Sequence, residues 1–379
     1  MVVLIVIFFF AVLNLYLAAR YSHVNRGLRL PGWLISVFTR YDSVDGLRRF
    51  AAMANRLMPL LFDWKSWKLD AQRIMIPGQD GHGIPVVLYR EKQTTGNESE
   101  KPQKKTLAAA GSKKAGLKDD TRQDLADSRP GAVGFLWIHG GGYAIGTPGG
   151  EKRFLAPYVL QTNTIAVVPD YRLSPAAPYP AAFEDCRDTL LWMKEHAAEL
   201  GIDENRLFVG GASAGGGLTA ALALYARDSG KVNLAFHMPI YPMINDKMDT
   251  VSMIGNTGML WDEKRNRAAW KVYLDTLYGT DDVPKYAAPA RETDLSGLPP
   301  CYTFVGTLDP FYDETLQYVQ RLISCGGKAR CDIYEAAFHG FDVIPCRLST
   351  AARAKLLEEY KYAVKHYAAP LKSNGKIII

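Results

Sequence analysis

Glycines crowd one serine in the run Val209-Gly210-Gly211-Ala212-Ser213-Ala214-Gly215-Gly216-Gly217, which separates a strand-like stretch from a helical one. A serine on a sharp strand-to-helix turn has strained backbone, and its neighbours two positions away on each side must be small. Gly211 and Gly215 meet that demand. Such a turn lifts the hydroxyl clear of a sheet and sets the next amide, that of Ala214, at a helix N-terminus beside whatever the hydroxyl attacks. The chemistry this permits is nucleophilic attack on a carbonyl, provided a base activates the serine.

The run His139-Gly140-Gly141-Gly142-Tyr143 directly follows the buried strand pattern Val133 to Ile138. Glycines there let bare amides approach a developing negative charge, each such donor being worth about 3 kcal/mol of barrier. In chains of the order Ser, then Asp or Glu, then His, the base comes last. Among the seven histidines, His339 in Phe338-His339-Gly340-Phe341 combines a loop position after a strand pattern with glycine and aromatic neighbours. His196 and His366 fall on helical patterns, and His237 falls within a buried strand run. For the carboxylate, Asp309 in Gly306-Thr307-Leu308-Asp309-Pro310 stands just past a strand end and is favoured. Its rival Asp313 falls in a helical first turn, where an acid simply suits the helix dipole.

These residues need a frame that delivers them to one place. Apolar runs at Val133 to Ile138, Thr164 to Val168, Arg206 to Val209, Leu234 to Met238 and Cys301 to Val305 alternate with helical patterns at Ala181 to Leu200, Gly215 to Asp228 and Tyr312 to Ser324. Alternation of this kind specifies parallel pairing with right-handed crossovers, hence a doubly wound α/β sheet. Ligands in such sheets gather at the carboxyl ends of the strands. A hairpin of Arg73 to Ile76 and Pro85 to Arg90 precedes the alternating part, across the turn-rich Gly78 to Gly83.

The chain of 379 residues, 48% hydrophobic, can bury a large core, and its +6 net charge gives little reason to expect a nucleic-acid partner, a slight attraction to anionic lipid being the more natural reading. Five cysteines without CxxC or Cys/His spacing read as mostly buried thiols in a reducing compartment, with no metal site. Val2 to Ala19 is apolar except for Asn14 and Tyr16, long enough to cross a bilayer core. Its basic residues follow it, which reads as a retained anchor rather than a cleaved signal and leans the following domain toward the cytoplasm. The expected division is an anchor over 1–22, cap helices over 23–70 and a catalytic α/β domain over 71–370. Within the last, 92–130 is a polar, disordered insertion, containing the glycosylation-type triplet Asn97-Glu98-Ser99, and 245–285 is a cap insertion.

At this point the chain resembles the hormone-sensitive-lipase-like branch of α/β hydrolases, the family IV esterases, to which arylacetamide deacetylases are related. The resemblance covers roughly residues 130 to 365. It rests on His139-Gly-Gly-Gly-Tyr143, Asp170-Tyr-Arg-Leu-Ser-Pro175 with Tyr179-Pro-Ala-Ala182, Gly211-Ala-Ser-Ala-Gly-Gly216, Asp309-Pro310 and His339-Gly-Phe341. It implies a triad of Ser213, Asp309 and His339, an oxyanion hole from the Gly140, Gly141, Gly142 and Ala214 amides, and substrate contacts at His139 and Tyr143. One departure is visible: the family usually has Asp or Glu before the nucleophile, whereas this chain has Ala212. The segments Gly32 to Lys68 and Asn245 to Thr280, with Trp261, Trp270, Tyr273 and Tyr278, resemble the family's helical cap. The implied activity is hydrolysis of short- to medium-chain acyl esters, on small hydrophobic substrates and without a cofactor. Amide deacetylation or lipid lipolysis would use the same residues, and a non-catalytic ligand-binding homologue is the alternative of a different class.

Overall fold

The computed structural model describes residues 12–39, 41–66, 68–92, 131–367, 372–373 and 376–377. Eight strands form one sheet in the order β1-β2-β4-β3-β5-β6-β7-β8. They are β1 (Leu69–Pro77), β2 (Gly83–Glu91), β3 (Ala132–Ile138), β4 (Thr164–Pro169), β5 (Ile202–Ala212), β6 (Phe236–Ile240), β7 (Cys301–Gly306) and β8 (Ala329–Tyr334). The expected hairpin is β1 with β2, which also pairs antiparallel with β4; every pairing from β4 to β8 is parallel. The mostly parallel α/β sheet is therefore present, with an antiparallel edge.

All seven residues of β3 are buried, as expected of a strand covered on both faces. One face is covered by the helices Ala181–Glu195, Ala214–Ser229 and Tyr312–Ser324, the other by Lys152–Thr162 and Arg347–His366. This two-sided burial orients the strand ends, and with them the chemically loaded loops, toward a common edge.

The structure differs from the sequence reading in several places. The pattern Ala181 to Leu200 is two helices, Ala181–Glu195 and Ala197–Leu200. The break falls at His196, whose ring stacks on Trp192 and whose Nδ1 lies 3.0 Å from the Trp192 carbonyl. β6 starts at Phe236 and runs to Ile240, two residues later than the apolar run suggested. Of the cysteines only Cys186 and Cys301 are buried, and the other three are partly exposed; all five are free thiols.

The segments expected to form a cap hold helices Arg29–Phe38 and Val44–Leu61 and the β6–β7 connection, which carries helix Glu263–Leu274 packed on Val44–Leu61. The expected anchor begins outside the described residues, which are helical from 12 to 20; among the described residues, no helix is long and apolar enough to cross a membrane. The expected insertion likewise lies outside them from residue 93 to 130.

Candidate active site

β5 ends at Ala212 and helix Ala214–Ser229 begins one residue later. Ser213 between them has φ 59° and ψ −118°, a conformation that a non-glycine residue holds only when its surroundings impose it. Three backbone bonds do so. The Ser213 N–H donates to the Ile240 carbonyl at 2.9 Å, and its own carbonyl accepts from Gly217 (2.9 Å) and Met243 (3.0 Å). A methyl group at Gly211 would strike the Gly215 and Ile138 carbonyls, and one at Gly215 would strike those of Ile138 and His139. That is the steric reason for glycine on both sides of the turn.

His339 Nε2 lies 2.9 Å from Ser213 Oγ, and its Nδ1 lies 2.8 Å from Asp309 Oδ2. The other Asp309 oxygen accepts from the Phe311 amide at 2.8 Å. Exposure falls along this chain, from 7% for Ser213 and 6% for His339 to 1% for Asp309. The imidazole is held between ring edges of Phe311 and Tyr241, both near 5 Å, with Trp261 at 6.2 Å. Asp313, the rival acid, instead accepts from the Ser252 amide in the cap.

The glycine loop sits against the same serine. A methyl group at Gly140 would lie 2.8 Å from the Ala212 carbonyl and 3.3 Å from Ser213 Cβ. Gly141 (φ 115°) and Gly142 (φ 60°) use backbone that side chains rarely adopt, and a methyl at Gly142 would press into Trp261. The loop is closed by Ala144 and Ile145 amides on the Gly141 carbonyl. Among the described residues, no acceptor takes the amides of Gly140, Gly141, Gly142 or Ala214.

The two residues expected to touch substrate, His139 and Tyr143, are both buried beneath the glycine loop. His139 is buried, stacked on Tyr171 at 4.2 Å, with Nδ1 donating to the Gly140 carbonyl; burial pulls its pKa down to about 4. Tyr143 is buried too, stacked on Tyr273, and its hydroxyl donates to the Met243 carbonyl. Both rings brace the glycine loop from inside.

Sequence reasoning missed Asn55. From helix Val44–Leu61 its amide reaches across 89 residues to donate to the Ala144 carbonyl at 2.9 Å, while its oxygen accepts from Gly146 at 3.2 Å. The available signal was a polar residue continuing the buried stripe Leu47, Ala51. Also missed were Glu314, which accepts from the Ile244 amide, and Asp342, which accepts from Tyr241.

Residues 135–343 match the model of a family described by the alpha/beta hydrolase fold. The chain belongs to this α/β-hydrolase family. It is 31% identical over 206 residues to the esterase LipI of Mycobacterium tuberculosis, covering 54% of this chain and 64% of that one. To the carboxylesterase NlhH of the same organism it is 32% identical over 222 residues, 58% of this chain and 69% of the other. The chain thus spans about two thirds of the length of these curated relatives. Among solved structures, bacterial heroin esterase superposes on this hydrolase with a TM-score of 0.75 at 29% identity, covering 91% of this chain and 99% of the other.

Proposed function

We propose that this α/β hydrolase is a serine carboxylesterase that cleaves short- to medium-chain acyl esters through an acyl-enzyme. The observation that carries the reading is the unbroken relay of 2.9 Å and 2.8 Å from Ser213 Oγ through His339 to Asp309. The esterase names of its relatives point the same way.

Ser213 Oγ attacks the ester carbonyl as its proton passes to His339 Nε2, while Asp309 holds Nδ1–H and balances the imidazolium. The tetrahedral oxyanion takes hydrogen bonds from the Gly140 to Gly142 loop and from Ala214 at the helix N-terminus. Collapse expels the alcohol, protonated by His339, and leaves the acyl group on Oγ. Water then adds to that acyl carbonyl with His339 again as base, and the acid departs as Ser213 regains its proton.

The apolar residues 2–19 serve in this reading as a membrane anchor, with the catalytic domain on the cytoplasmic side; the support is their length and the arginines that follow. Protease protection on intact vesicles tests the side. Ser213→Ala tests the chemistry: turnover of p-nitrophenyl butyrate and labelling by a fluorophosphonate should both disappear with folding intact, and retention of most activity refutes the assignment.

A further inference from the structure

The chain's charge and its exposed apolar surface are concentrated in one place. Residues 12–68 hold nine Lys or Arg against three Asp or Glu, an excess equal to the +6 of the entire chain. The same region, up to residue 62, carries eleven of the nineteen large hydrophobic side chains exposed among the described residues. They include Leu34, Val37 and Phe38 on helix Arg29–Phe38 and Leu57, Leu60 and Leu61 on helix Val44–Leu61, with Leu60 79% exposed. On the second helix an apolar strip from Met53 to Leu61 runs beside Arg48, Arg49 and Arg56. These arginines are exposed and make no ion pair with another described residue. An apolar strip edged by unpaired cations is the pattern of a helix lying in a lipid interface, and clustered exposed apolar side chains with a polar rim mark surfaces that meet a partner or a membrane.

Both helices flank the catalytic groups. Gly32 packs on Phe338 and Met259, beside His339, and Asn55 ties the second helix to the glycine loop. The preceding segment is docked at the same place, since the Asn25 amide donates to the Ala336 carbonyl.

We propose that the outer face of these two helices rests on an anionic lipid surface and that the active site draws a lipophilic ester from that surface. The occupant follows from charge: a second copy of the chain would meet this cationic face with another cationic face, whereas anionic headgroups neutralise it and the acyl region takes the leucines. The kinetic part rests on the esterase reading above; the docking part does not.

The test uses the full chain on vesicles of phosphatidylcholine with or without one third phosphatidylserine. The substrates are p-nitrophenyl laurate dissolved in the bilayer and p-nitrophenyl acetate in water. The triple variant Leu57→Glu/Leu60→Glu/Leu61→Glu should lose about tenfold or more in kcat/KM on the bilayer ester and keep its rate on the acetate. Arg48→Glu/Arg49→Glu/Arg56→Glu should erase the preference for anionic vesicles by a similar factor. Equal loss on both esters, or none on either, overturns the proposal. Binding is read without catalysis in Ser213→Ala, where brominated phosphatidylcholine should quench tryptophan fluorescence through Trp33 and Trp64; an unquenched signal overturns docking. Concentration-dependent dimers in sedimentation that the leucine variant abolishes would assign the face to a second copy instead. A parent chain that cleaves neither ester refutes the esterase reading alone, because the quenching result still decides the surface.

Discussion

Asn55→Ala tests whether the cap positions the oxyanion donors. The substitution removes two neutral hydrogen bonds, at 2.9 Å to the Ala144 carbonyl and 3.2 Å from the Gly146 amide, each worth about 1 kcal/mol net. The glycine loop keeps its internal closure on the Gly141 carbonyl and its brace at Tyr143, so it loosens rather than unfolds. Complete loss of one oxyanion donor costs about 3 kcal/mol, a factor of 10² to 10³ in kcat. A loop freed at one end should forfeit part of that, about tenfold. The loss should fall on kcat and kcat/KM equally with KM unchanged, because the donors tighten on the oxyanion and not on the ground-state ester. Steady-state kinetics on p-nitrophenyl butyrate measure it, with Arg56→Ala as an exposed neighbour on the same helix. Asn55→Asp keeps the acceptor for Gly146 but sets a carboxylate against the Ala144 carbonyl, so it should fare no better than alanine. A kcat within twofold of the parent, alongside a lowered melting temperature, would show that Asn55 only stabilises the fold and would refute the reasoning.

Three further outcomes follow from the same geometry. Asp309→Asn removes the charge facing His339 Nδ1 and should lower kcat roughly 10⁴-fold, with fluorophosphonate labelling slowed in parallel. Gly140→Ala places a methyl 2.8 Å from the Ala212 carbonyl, pushing the loop off Ser213, and should cost about 10²-fold or more in kcat with circular dichroism unchanged. Glu151 is lifted from 4.5 to about 7, chiefly by burial, although it accepts from Trp137 at 2.7 Å. The folded state then binds more protons than the unfolded one between those values, so stability falls as pH climbs through that window and is flat above it. Glu151→Gln keeps an acceptor for Trp137 and should flatten the profile in urea unfolding, gaining at most about 3 kcal/mol above neutral pH, the ceiling because the residue retains some solvent contact.

The parts legible in the sequence are those written in local pattern. β3 announces itself as an unbroken apolar run, and β7 as a buried run interrupted by Thr303, because both faces are covered, and Ser213, Asp309 and His339 each follow a strand end. What stayed hidden depends on contacts between distant segments. His196 ends a helix because its ring finds Trp192, and β5 starts early, at Ile202, because Gly201 in the left-handed region turns the chain there. Asn55 and Glu314 gain their partners 89 and 70 residues away, beyond the reach of any period. The substrate contacts that the resemblance implies for His139 and Tyr143 say nothing of the partners the rings find, the stacks on Tyr171 and Tyr273.

The hidden carboxylates bear on how one acid can serve the imidazole. Glu314 and Asp342 are both buried, and Asp309 and His339 respectively act on them electrostatically. Burial raises both, Glu314 well above its ordinary value, and the negative Asp309 adds to that rise. The Glu314 Oε1 accepts from the Ile244 amide at 2.9 Å, which anchors the loop after β6. Asp342 is turned to the hydroxyl of Tyr241, whose ring edge packs on His339. Among the described residues, the carboxylate oxygen at bonding distance from His339 Nδ1 is Asp309 Oδ2, at 2.8 Å.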